Sequence, residues 1–249
     1  MSKLFKTTAS RAVFLSLLFA GTAAWAYMLP GPFILGKVAE QRTTAGLDDV
    51  TLEGSATVAG PAGEITGSSR LRFKAGGFLE LTVIGGHGDE SFSIAHGKIT
   101  GKPTAGMQKL VASLKGMEKV VTWALPGREP AGTMTPEIKA ANVDLEKRSL
   151  GRFHGRVVFI VGADAKDRVV PQVWVDKDTF TILRVMLPDR KGRTFDIKLY
   201  DFQSPPLQGR FPATIEIYDG PERVLRFQAE KVVGGVQDDD EEPAKKVGK

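Results

Sequence analysis

The chain has 249 residues, 42% hydrophobic and 25% charged, with a formal net charge of +5 and no cysteine. That length supports one domain with its own core, and the lack of cysteine excludes both disulfide staples and the acylated cysteine by which a lipoprotein is anchored. Lys3, Lys6 and Arg11 lie ahead of the fold and a tail from Gln237 carries five acids against three lysines, so the body holds only about +4, scattered without interleaved aromatics, which argues against a nucleic-acid partner and allows transient contact with an anionic membrane.

Residues 1–26 read as a cleaved signal peptide: a basic start, the apolar run Ala12 to Ala20, then Ala24-Trp25-Ala26 with small residues at the cleavage positions. The run is shorter than the ~20 residues of a spanning helix, so a soluble, periplasmic protein without a lipid anchor is expected. Residues 27–236 form the domain and 237–249, polar with Pro243, a disordered charged tail.

Pro30 and Pro32 precede Phe33-Ile34-Leu35 and Val38, the pattern of a short helix opened by proline and closed near Gly46. Val50, Leu52, Ala56 and Val58 alternate with polar residues, and after Gly60-Pro61-Ala62-Gly63 come Ile65, Leu71 and Phe73, giving two strands and a turn. Leu79, Leu81 and Val83 mark a third strand, and Ser91 to Ala95 a fourth. Between them, Gly85-Gly86-His87-Gly88-Asp89 reads as a turn and not a phosphate loop, because a strand rather than a helix follows it. His96-Gly97-Lys98 turns the chain again. His87, His96 and His154 stand too far apart to suggest a metal site.

From Thr104 the period changes. Met107, Leu110, Val111, Leu114 and Met117 recur at three and four residues, an amphipathic helix running toward Val121 or Leu125 across Gly116. Pro126 to Pro136 reads as a loop and 136–141 as a further helical turn. Val143 and Leu145 open a strand, and Val157 to Gly162, apolar on both faces, reads as a central one. Val173 and Val175, an Asp176-Lys177-Asp178 turn, and Ile182 to Leu187 make a hairpin. Ile197 and Leu199, then Ile215 and Ile217, then Leu225 and Phe227 continue the alternation, the last pair after Asp219-Gly220-Pro221-Glu222. The expected fold is mainly β with a few helices: about ten or eleven antiparallel strands in a strongly curved sheet, an incomplete barrel wrapped around helices.

Val173-Trp174-Val175-Asp176-Lys177-Asp178-Thr179-Phe180, the strand end Tyr200-Asp201-Phe202, and Gly209-Arg210-Phe211-Pro212 leading into Ile215-Glu216-Ile217-Tyr218 resemble the C-terminal half of the LolA/LolB-like lipoprotein-localisation superfamily, especially its outer-membrane lipoprotein-sorting-like group. The order of elements upstream is similar, so the resemblance spans roughly residues 33–233. It implies an incomplete barrel whose apolar cavity holds acyl chains in the periplasm. The chain departs from dedicated carriers in lacking aromatic-rich strands around its first turns.

An acyl chain offers only CH₂ groups, worth about 0.8 kcal/mol each on burial, so a carrier needs apolar inner surface. The candidates are Leu52, Leu71, Phe73, Leu79, Leu81, Val83, Val173, Val175, Ile197, Leu199, Ile215, Ile217, Leu225 and Phe227, covered by Met107, Leu110, Leu114 and Met117, whose thioethers adapt to varied ligands. The first function expected is therefore a monomeric periplasmic carrier or chaperone that binds the acyl chains of a lipoprotein or lipid for transfer toward the outer membrane. The second is an RseB-like sensor or regulatory module that binds a protein partner. Asp176 and Asp178 flank a turn where Asp favours backbone hydrogen bonds, and no Ser-His-Asp arrangement is evident, so neither catalysis nor a cofactor is expected.

Overall fold

A computed structural model of the chain describes residues 28–45, 49–61, 63–74, 77–85, 88–101, 103–126, 134–188, 191–202 and 211–233. Every element below belongs to the compact unit Gly31–Lys249. The expected signal peptide and tail lie outside the described residues, as do Gly86 and His87.

Helix α1 (Gly31–Ala45) leads into strands β1 (Asp49–Gly60), β2 (Gly63–Lys74), β3 (Phe78–Gly85), β4 (Gly88–Ala95) and β5 (Lys98–Gly101). Three short helices follow, α2 (Gln108–Leu114), α3 (Glu118–Ala124) and α4 (Met134–Ala140). The chain then returns to strands: β6 (Arg148–Phe153), β7 (Arg156–Val161), β8 (Gln172–Asp176), β9 (Ile182–Pro188), β10 (Thr194–Tyr200), β11 (Thr214–Asp219) and β12 (Glu222–Val233).

All twelve strands join one sheet in the order β5-β4-β3-β2-β1-β12-β11-β10-β9-β8-β7-β6. Most of the connections are too short for a crossover, and every pairing is antiparallel. The order is two meanders fastened by β1 and β12, the first and last strands. The edges are β5 and β6, and the segment joining them carries α2, α3 and α4. That segment must cross from one edge of the sheet to the other.

Its path shows the curvature. Helix α3 packs on both β3 and β9, strands six steps apart in the sheet, or about 29 Å when flat at ~4.8 Å per step. A helix about 10 Å across touches both only if the sheet curls around it. The sheet is therefore an incomplete barrel around its helices, open between β5 and β6. Helix α2 packs on β1 and β12, and α1 packs on α4. Arg42 ties α1 to α3, its Nη2 donating to the Ala124 carbonyl at 3.2 Å.

Several expectations need correction. The helix expected to run on from Thr104 is two helices, because Gly116 adopts φ +81, a left-handed conformation that ends a helix. Lys115 N–H still reaches Val111, Met117 N–H turns back to Leu114, and α3 restarts at Glu118. No strand opens at Val143 and Leu145: both are buried, but Lys147 N–H bonds Asp144 as a turn, and the strand starts at Arg148. Phe153-His154-Gly155-Arg156 is the turn of a hairpin, with His154 at φ 47 and Gly155 at φ 81, the two-residue turn with positive φ at both centres. Strand β7 is thus next to an edge and not central, although its last four residues are buried on both faces. The short β5 brings the described strands to twelve. Asp176 lies in β8 itself and is buried, not in the turn.

Candidate functional site

Pairing register decides which side chains share a face, since directly opposed residues point the same way. Val58, Leu225, Ile217, Ile197, Val185, Val173 and Val161 are successive partners on seven adjacent strands. A neighbouring row runs Ala56, Phe227, Ile215, Leu199. In the other arm Leu52, Leu71, Leu81 and Phe92 form one row and Val50, Phe73, Leu79 and Ile94 another. These rows make the inner face, and each of these residues is no more than 3% exposed. Of the sequence candidates on strands, Val83, opposite Ser69, and Val175, opposite Phe159, extend the same face. Among the candidates on the cover, Met107, Leu110 and Leu114 are buried, while Met117, at the break between α2 and α3, is half-buried. Leu199, on the inner face, also lines a surface cavity.

The cover is held at its ends by polar contacts. Ser113 Oγ donates to Asp219 Oδ2 at 2.7 Å, and Lys109 pairs with Glu222, tying α2 to the β11–β12 turn. Within the interior the polar groups are few. Arg42 and Thr122 are buried, as is Glu118, whose Oε2 has no hydrogen-bond partner among the described residues.

The outer face of β8 to β12 carries a network that the alternation pattern does not reveal. Arg184 grips Asp196 with two bonds of 2.9 and 2.7 Å. Trp174 Nε1 donates to Gln172 Oε1 at 2.8 Å, and the guanidiniums of Arg168 and Arg184 lie 4.8 and 4.9 Å from its ring. Glu216 accepts from Tyr200, from Tyr218 at 2.9 Å and from Arg223 at 3.3 Å. Burial alone would raise the Glu216 carboxyl, but the two tyrosine bonds and the Arg223 charge hold it below the ordinary carboxylate value. Burial and the bond to Glu216 push the Tyr200 hydroxyl well above its own ordinary value.

Asp176 and Asp178 do not form a carboxylate pair. Asp176 Oδ1 accepts from the backbone N–H groups of Asp178 and Thr179 and from the Thr179 hydroxyl, at 2.8 to 3.0 Å. Its Oδ2 pairs with Arg156 Nε at 2.8 Å. Among the described residues, no cluster of three or more His, Cys, Asp or Glu could hold a metal, and no helix is long and apolar enough to cross a membrane.

At the strand ends where β10 leaves the sheet lies a cavity of about 520 Å³, lined by Phe153, His154, Arg156, Leu183, Leu199, Tyr200, Asp201, Phe202, Thr214 and Arg226. The polar members of this set stand outside the apolar alternation that marks the inner face. Their signal is faint, because Phe153-His154-Gly155-Arg156 and Tyr200-Asp201-Phe202 look like ordinary turns and strand ends until the fold brings them together.

No protein-family model and no curated protein matches the chain. Among solved structures it is similar to a LolA superfamily protein from Nitrosomonas europaea, at 12% identity over 82% of this chain and 93% of that one, with a TM-score of 0.47. It is also similar to an outer membrane lipoprotein-sorting protein domain from Vibrio parahaemolyticus, at 15% identity over 82% and 94%, with a TM-score of 0.43. A third similar structure is a DUF1329 family protein from Desulfovibrio piger, at 12% identity over 84% and 95%, with a TM-score of 0.45.

Proposed function

We propose that this chain is an exported carrier that shelters the acyl chains of a lipid or lipoprotein in its barrel, in the periplasm and without covalent chemistry. The observation that carries this reading is the inner face, an apolar row across seven strands covered by helices of seven residues. Helices this short are unstable in water alone, so packing on the sheet is what holds α2 and α3. An acyl chain offers the same kind of apolar contact at about 0.8 kcal/mol per CH₂. Exchange of helix–sheet contact for chain–sheet contact therefore costs little, and Gly116 gives the cover a joint at which one helix can move without the other.

The test is mass spectrometry of mature protein purified from membranes, together with a Leu81→Glu variant. Leu81 is 1% exposed and sits between Leu71 and Phe92 on the inner face. Wild type should carry acyl lipid, and a folded Leu81→Glu protein should lose it. Circular dichroism identifies an unfolded variant, and Leu81→Ala then serves as the smaller perturbation, expected to weaken retention. Wild-type protein that neither retains nor takes up acyl lipid would overturn the reading.

A further inference from the structure

The cavity at the end of β10 is built from both faces of the sheet. The β6–β7 hairpin contributes His154 and Arg156, and β12 contributes Arg226. Leu183 and Leu199 also line it, and Leu199 belongs to the inner row with Ile215 and Phe227. At this place a cationic rim meets the apolar interior.

The two guanidiniums are committed to different degrees. Arg156 Nε is bound to Asp176. The buried Arg226 Nε makes only an ion pair with Glu216 Oε1 at 3.8 Å and no hydrogen bond among the described residues, because Glu216 is already served by Tyr200, Tyr218 and Arg223. Asp201, the one carboxylate among the lining residues, accepts from Thr214 Oγ1 at 2.7 Å. An incoming oxyanion would therefore meet guanidinium N–H groups with capacity left over, and a guanidinium fork matches phosphate and carboxylate oxygens better than a point charge does.

We propose that this cavity is a headgroup subsite for an anionic amphiphile, a phosphate or carboxylate borne on an acyl chain that enters the interior past Leu183 and Leu199. The proposal rests on the acyl-carrier reading and adds to it the charge of the ligand and the place where its polar end stays. An acyl chain in the barrel must leave its headgroup in a polar setting, because an unpaired charge carried into the apolar rows would lose its hydration without compensation. The described lining supplies that setting beside an inner-face residue.

The experiment compares lysophosphatidic acid with the monoacylglycerol of the same chain, which differs only by the phosphate, and adds inorganic phosphate as a third ligand. Affinities are measured by calorimetry on the wild type, Arg226→Gln and Arg156→Lys. Lysophosphatidic acid should bind about tenfold more tightly than the monoacylglycerol, as one charge-assisted contact would give. Arg226→Gln should remove most of that preference and leave monoacylglycerol binding unchanged. Arg156→Lys keeps a cation for the buried Asp176 and should reduce the preference in part, so the proposal stays testable if Arg226→Gln does not fold. If neither lipid binds, the carrier reading fails and this proposal with it. If both bind alike, or if the preference survives both substitutions, only the headgroup assignment fails. Inorganic phosphate binding as tightly as lysophosphatidic acid would also overturn it, since the chain would then contribute nothing.

Discussion

The two arms of the sheet have the same alternation and the same apolar inner face, yet their outer faces differ. On β1, β2 and the adjoining end of β12 the outward side chains form open surface pairs: Arg70 and Lys231 with Glu53, and Arg72 and Lys74 with Asp49. On β8, β10 and β11 the outward Gln172, Trp174, Asp176, Asp196, Thr214 and Glu216 are all buried. The cause is a fold-back. The Phe153 ring is 6.0 Å from Tyr200, although β6 and β10 are four strand steps apart, about 19 Å if flat. The edge hairpin thus curls over the outer face, and Arg168 from the β7–β8 connection closes over Trp174. An outward position becomes a second interior where an edge bends back upon it, and a polar surface where none does.

The largest effect that can test this contrast is Trp174→Ala. Trp174 is 3% exposed, edge-on to Phe153 at 5.7 Å and flanked by two guanidiniums, so truncation should cost about 3–5 kcal/mol. Thr66→Ala, at an exposed outward position of the other arm, should change stability by no more than about 0.5 kcal/mol. Denaturant melts measure both, and comparable losses would erase the distinction between the arms. Asp176→Ala comes next, at about 2–3 kcal/mol, because it removes the acceptor for two turn N–H groups and the Thr179 hydroxyl and strands Arg156. Asp176→Asn should recover part of that loss by keeping a turn acceptor. A neutral Asp176→Ala melt would show that the fold-back does not depend on this anchor.

The inner face was legible in the sequence because period-2 alternation is local: Ile197 with Leu199 and Ile215 with Ile217 each announce one side of a strand. Antiparallel order and the first helix followed from short connections and from Pro32. The covered outer face was not legible. Trp174 stands in the same alternation as Thr57, and what separates them is contact with Phe153 and Arg168, supplied by an edge hairpin and a loop whose path only tertiary packing sets. Gly116 marks the intermediate case. Its cost inside a helix is modest, so the apolar period carried across it in the sequence, and only the left-handed backbone shows the break. The rim cavity belongs with Trp174, since it gathers residues from β6, β7, β9, β10, β11 and β12 that share no local pattern.

The smallest effect lies on the open arm and is a matter of pH. The Asp49 carboxyl is held at about 2, chiefly by its hydrogen bond from Arg72, which outweighs the opposing effect of burial, with Lys74 adding a smaller share. A folded value below the unfolded one of about 3.9 means that the stabilisation is fully present above that pH. It is lost as pH falls through the window from about 4 to about 2. Asp49 is 35% exposed at its side chain, so water and salt screen the pair and only a fraction of 1 kcal/mol is at stake. Asp49→Asn should therefore be slightly less stable than the wild type at pH 6, and the gap should close as pH is lowered to 2 or as salt is raised. Urea midpoints for the two proteins at pH 6, 4 and 2 measure this. A gap that stays constant down to pH 2 would mean that Asp49 acts through packing, and would place this pair with the covered arm instead of the open one.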